Sequence, residues 1–198
     1  MLDLLTYREK RIIHDPQFAN TLFGDTRFSV LWLIIRFWLG FQWSAVAASK
    51  IGNSAWMDGE VLRDHWLRVM ALPEVNTIFN YDWYRNFIQY MLDKEAYTWF
   101  ANIVVYGELL LGIALIIGAF TGIAAFFGIM LHWNFMIIGT TSANPLLLIF
   151  GIGLMFAWKT AGLIGADYFL LNLLGTPWGR DDFEEPPERT PARAGIGD

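Results

Sequence analysis

Residues 106–120 read YGELLLGIALIIGAF, and a single carboxylate, Glu108, is the only charge in the stretch. It belongs to a longer run, about residues 98–118 (TWFANIVVYGELLLGIALIIG). A helix rises about 1.5 Å per residue, so about 20 apolar residues cross a hydrocarbon core of about 30 Å. The run therefore reads as a membrane span with an acid near its middle. An ionised group there is costly and normally has a partner or a task. Both the fold and the function turn on which of these Glu108 has.

Three further runs have similar length and character. They are about 28–48 (FSVLWLIIRFWLGFQWSAVAA), 121–140 (TGIAAFFGIMLHWNFMIIGT) and 145–166 (PLLLIFGIGLMFAWKTAGLIGA). None shows the long polar face that a helix of a soluble protein presents to water. Of the 198 residues, 55% are hydrophobic, with 16 Phe and 10 Trp, which suits lipid contact and interfacial belts. The expected fold is all-α: an integral membrane four-helix transmembrane bundle, residues 28–175.

The flanking segments differ in composition. Residues 1–27 are charged, and no signal peptide is expected because the first apolar run begins only after them. The tail, residues 176–198, is acidic and Pro-rich. Arg8, Lys10, Arg11 and Arg27 precede the first span, and Arg180, Arg189 and Arg193 follow the last. Basic residues near span ends favour the cytoplasmic side. The expectation is a multi-pass protein of the cell inner (plasma) membrane with both termini cytoplasmic.

The long connection, about 49–97, is expected to form an extracytoplasmic cap. In EVLRDHWLRVMAL, Leu62, Trp66, Val69 and Met70 share one helical face; in WYRNFIQYML, Tyr84, Phe87, Ile88 and Met91 do. Amphipathic helices rich in Trp and Tyr suit the boundary between membrane and water. They serve either as a simple cover over the bundle or as a lid above a lipid-accessible site.

Depth along the spans predicts a polar layer. Arg36 lies about 12 Å above the inner end of span one and Glu108 about 15 Å below the outer end of span two, near the midplane. A guanidinium and a carboxylate at like depth can pair through two hydrogen bonds. His132 on span three falls nearby, and Lys159 on span four sits closer to the inner surface, where it can snorkel. In a structural reading, Arg36 and Glu108 form a clasp supported by Tyr106, Asn102 and Asn134. In a functional reading the layer lines a quinone pocket, with Glu108 and His132 as proton-relaying catalytic groups and Trp43 and Trp133 as stacking walls.

Other chemistry has little support. With no cysteine, thiolate metal sites, cysteine-ligated iron–sulfur clusters and covalently attached haem are excluded. The three histidines, His14, His65 and His132, fall on different segments, and no metal or haem is expected. Met130 and Met136 read as packing residues. Gly118 and Gly122 in GAFTG read as a tightly packed turn. A net charge of −5 gives no sign of nucleic-acid binding.

The order of these features resembles the DoxX/DoxD family of small four-helix membrane proteins. The likeness rests on Arg36, Gly40 and Lys50, then Glu108, Gly112 and Gly118 in GELLLGIALIIGAFT, then NPLL and AWKTAGLIGADYFLL with Gly165 and Asp167. It spans roughly residues 28–175. The resemblance implies the membrane subunit of a thiosulfate:quinone oxidoreductase, working beside a small partner subunit. The chain has no evident redox centre of its own, so electrons would come from that partner or directly from substrate. The alternative is a non-catalytic accessory subunit of a larger respiratory or photosynthetic membrane complex. A bundle open to lipid beside Glu108 and His132 favours the first; dense packing there favours the second.

Overall fold

Helix α1, Ser29–Ile51, carries two apolar stripes rather than one. Trp32, Arg36, Leu39, Trp43 and Ala47 recur at helical spacing and are buried, while Val30, Ile34, Phe37 and Phe41 recur on the opposite side and are exposed. The inner stripe thus holds the charge and the outer one is apolar. This inverts the distribution of a helix packed at a water-facing surface.

The computed structural model describes residues 16–71, 82–137 and 145–173. Among these residues every element is helical and there is no strand. The chain enters through short turns at Gln17–Ala19, Asn20–Gly24 and Thr26–Phe28. After α1 come α2 (Ser54–Met57), α3 (Glu60–Ala71), α4 (Asp82–Asp93) and α5 (Tyr97–Ile117). Then follow α6 (Thr121–Ile137), α7 (Pro145–Phe156), α8 (Trp158–Gly162) and α9 (Asp167–Leu173).

Two stretches, Thr26–Ile51 and Tyr97–Ile117, are long and apolar enough to cross a membrane. The other two expected spans come out shorter. Helix α6 is described for 17 residues. The run from Pro145 is interrupted at Ala157 (φ −87°, ψ 14°), resumes as α8, and ends at Gly162. The Arg36 guanidinium takes the carbonyls of Ala161 and Ile164, which helps to end the helix before residue 166. The termini, on which the orientation and the acidic tail depend, lie outside the described residues, as do residues 138–144.

Helices α1 and α5 form the central pair. They run antiparallel and meet at two glycines: a Cβ on Gly40 would stand 2.8 Å from the Gly112 carbonyl oxygen, and one on Gly112 2.7 Å from the Ser44 nitrogen. Any larger residue at either place would push the helices apart. Around this pair the core comprises Trp32, Leu39, Trp43, Leu111, Leu115, Ala124, Ala125, Leu154, Ala157 and Ala161, from α1, α5, α6, α7 and α8.

The connection between α1 and α5 has a core of its own. Leu62, Trp66 and Val69 of α3 meet Tyr84, Ile88 and Met91 of α4 over Ala96 and Ala101. These are largely the faces read from sequence; Phe87, assigned to the same face, is instead exposed. The cap is fastened to the bundle by polar bonds. Tyr84 donates to Asn134 Oδ1 at 2.8 Å, and Asn102 Nδ2 donates to the Met57 carbonyl at 2.9 Å.

The segment before α1 is also built in. Trp32 Nε1 donates to the Leu22 carbonyl at 2.8 Å, Phe23 stacks on Trp32, and Thr160 Oγ1 donates to the Phe23 carbonyl. Residues 17–28 therefore belong to the bundle, although their charged surroundings read as a separate segment.

Candidate functional site

Glu108 is fully buried, with 0% exposure, and its partner is Lys50 rather than Arg36. Lys50 Nζ lies 2.6 Å from Oε1 and 2.8 Å from Oε2. The expected Arg36–Glu108 clasp fails because α1 begins well beyond the point where α5 stops. Arg36 lies level with Gly118, the residue that ends α5. Glu108 is ten residues back along α5, about 15 Å away. Lys50 is at the opposite end of α1, and its long side chain reaches back along the helix to the carboxylate.

The pair sits beneath the cap in an aromatic surround. Lys50 Nζ lies 4.5 Å from the Trp56 ring centre and 5.1 Å from that of Phe135, distances suited to cation–π attraction. Phe135 is tilted against Trp43, and Trp43 meets the His132 ring edge-on at 6.2 Å. Three members of the expected layer, Glu108, His132 and Trp43, therefore share this neighbourhood, and His132 is 3% exposed.

The others are elsewhere. Tyr106 and Trp133 point outward, 53% and 43% exposed, so Trp133 is no wall of this site and Tyr106 no support of the pair. Both lie on the outer faces of their helices, which depth alone does not distinguish. Asn102 and Asn134 hold the cap rather than a clasp. Lys159 is exposed at the far end of the bundle, 5.7 Å from the Trp158 ring.

Two buried polar atoms near the pair have no hydrogen-bond partner. One is Ser44 Oγ, packed against Gly112 one helical turn from Glu108; the other is His65 Nε2 on α3. Arg68 Nη2 lies 3.1 Å from His65 Nδ1 and donates to it, which leaves the neutral ring's proton on Nε2. Sequence periodicity could not have found Ser44, Trp56 or His65, because each joins the site through the fold of the cap or the α1–α5 contact. Lys50 does stand among the residues that carry the family resemblance.

Burial pushes the His65 imidazole below its ordinary range, and the positive charges of Arg68 and Lys50 add to the effect. The folded state thus binds a proton less readily than the unfolded chain. The stability contributed is fully present above the unfolded value of about 6.5 and is lost as pH falls from there toward the lowered folded value. Protection factors of the α3 amides, which take out the base-catalysed rise of the intrinsic exchange rate, should accordingly be higher at pH 7.5 than at pH 5.5. His65→Gln should abolish the difference. Tyr84, pushed up to about 12 by burial, remains a hydrogen-bond donor throughout that range.

A second charged knot closes the opposite end of the bundle. Arg36, 1% exposed, donates at 2.8 Å to each of the Ala161 and Ile164 carbonyls. Its guanidinium fills the space where Gly118, at φ +70°, lacks a side chain. Fully buried Asp167 accepts from the Phe120 N–H at 2.5 Å and the Thr121 N–H at 2.8 Å, capping α6 from another part of the chain. The main chain adds bonds from Ala166 N to Ile117 O and from Asp167 N to Gly118 O.

Among the described residues no group of three or more His, Cys, Asp or Glu is placed to hold a metal ion. No protein-family model matches the chain, and comparison with curated proteins and with solved structures likewise finds no similar chain.

Proposed function

We propose that the chain is a four-span membrane protein of the DoxX/DoxD type and acts as the membrane subunit of a quinone-linked oxidoreductase, of the thiosulfate:quinone kind. The observation that carries this reading is the buried Lys50–Glu108 pair under the aromatic cap, with unused donors beside it. The outer apolar stripe of α1 and its counterpart on α5 (Ile103, Leu110, Ile113 and Ile117) supply the lipid-facing surface. A buried ion pair contributes little net stability compared with apolar packing of the same volume, so structure alone is a weak reason for this one.

A quinone head group would draw on donors of the kinds found here. Ser44 Oγ–H, His65 Nε2–H and Lys50 are hydrogen-bond donors for carbonyl oxygens, and Trp43, Trp56 and Phe135 offer ring faces. A bound quinone would supply the two-electron acceptor. The chain's own share is to orient the head group, to exclude water, and to hold a proton on Glu108 or His132. Electrons would enter from a partner subunit or directly from a reduced sulfur compound.

A second reading is favoured by the closure of the site. Glu108 and His132 are packed on all sides, as expected for a non-catalytic accessory subunit of a larger respiratory or photosynthetic complex. One experiment separates the two. Glu108→Gln keeps the volume and removes the proton-carrying group. Under the oxidoreductase reading, the variant assembles in the membrane but loses quinone reduction by about 10²-fold or more, the usual scale for an acid–base group. Quinone reduction that survives unchanged in the assembled variant would leave the accessory role.

A further inference from the structure

A concavity lies at the Arg36 end of the bundle, away from the Lys50–Glu108 pair. Its volume is about 420 Å³, within the range of small-ligand sites, about 300–1,000 Å³. The walls come from Phe120 and Ile123 at the start of α6, Met155 of α7, Trp158 of α8 and Leu171 of α9, with Thr121 and Asp167 at its polar edge. Phe120 and Ile123 are exposed, so the groove opens onto the apolar outer surface of the bundle.

We infer that this groove seats one acyl chain of an anionic phospholipid, with its phosphate beside Lys159. The inference rests on the membrane location proposed above. The walls are almost wholly apolar, which suits a hydrocarbon chain better than a polar metabolite. Lys159 is exposed, with Nζ 5.7 Å from the ring centre of Trp158, itself a wall of the groove, and supplies a cation of the kind that meets lipid head groups beside Trp. The one carboxylate at the groove, Asp167, does not repel a phosphate strongly: its oxygens accept two backbone N–H groups and Arg36 stands close by.

The test uses the full chain in mixed vesicles of phosphatidylethanolamine and phosphatidylglycerol. Each lipid is offered in turn as a photoreactive probe with the reactive group on the acyl chain, after flotation has shown the chain to be in the vesicles. Labelling is expected to concentrate on Ile123, Met155 and Leu171 and to favour phosphatidylglycerol by about fivefold, the equivalent of about 1 kcal/mol for one basic residue at an anionic surface. Lys159→Gln, an exposed change that leaves the fold alone, should abolish that preference while labelling persists. Ile123→Trp should fill the groove and remove labelling by both probes. Uniform labelling around the bundle, equal labelling by the two lipids in the unaltered chain, or displacement of the probe by added quinone would overturn the inference. A chain that fails to float with the vesicles would sink the membrane reading as well, whereas flotation without groove labelling would sink this inference alone.

Discussion

Lys50→Met is expected to destabilise the fold by about 3–5 kcal/mol, the scale for removing one partner of a buried ion pair. The substitution keeps most of the side-chain volume but strands Glu108, which is completely enclosed and has no other hydrogen-bond partner described. In cells the outcome should be a sharp fall in membrane accumulation; in detergent it should be a large drop in the thermal midpoint. Glu108→Gln alone should be milder, because Lys50 is at the edge of the site and retains the Trp56 and Phe135 rings. The double variant Lys50→Met with Glu108→Leu should recover most of the loss, since an apolar pair of similar volume has no charge to compensate. Equal damage in the single and double variants would mean that the charges are not coupled as the 2.6 Å contact implies.

Arg36→Met should be comparably severe, about 2–6 kcal/mol, for two buried carbonyls left without a donor at about 1–3 kcal/mol each. It leaves the Ala161 and Ile164 carbonyls without their donor and removes a cation that faces the buried Asp167. Asp167→Asn should be smaller, about 1–3 kcal/mol, because one side-chain oxygen still accepts from the turn. The turn itself supplies a local readout. Phe120 has φ +50°, a left-handed conformation that is strained for a bulky residue, and Asp167 holds its N–H in place. Limited proteolysis should therefore cut near residues 118–122 in Arg36→Met and Asp167→Asn well before the unaltered chain is cut. A stable turn in both would mean that the main-chain bonds to Ile117 and Gly118 hold it unaided.

The legible and illegible parts of this chain divide along physical lines. Apolar runs announced helices, and α1 and α5 match their runs to within a few residues. The amphipathic faces of α3 and α4 could be read because period alone places Leu62, Trp66 and Val69 together. The pairing of charges could not, because it depends on the relative offset of α1 and α5. That offset is set by the Gly40–Gly112 contact and by where Gly118 stops α5. The side chain of Arg36 thus finds backbone carbonyls, while Glu108 is claimed by a lysine that looked like the end of a span. The inward or outward aspect of Tyr106 and Trp133 was likewise hidden, since a helix apolar all round carries no periodic signal to orient it.

The Arg36 knot has a consequence for synthesis. Its two carbonyl acceptors come 125 and 128 residues later in the chain. At about 5–20 residues per second, the guanidinium waits about 6–25 s before Ile164 is made. Throughout that interval the guanidinium of the first helix lacks the two carbonyl acceptors that hold it in the finished fold. A chain truncated anywhere before Ala161 never acquires the two carbonyls, so its Arg36 stays without the acceptors that the finished fold provides.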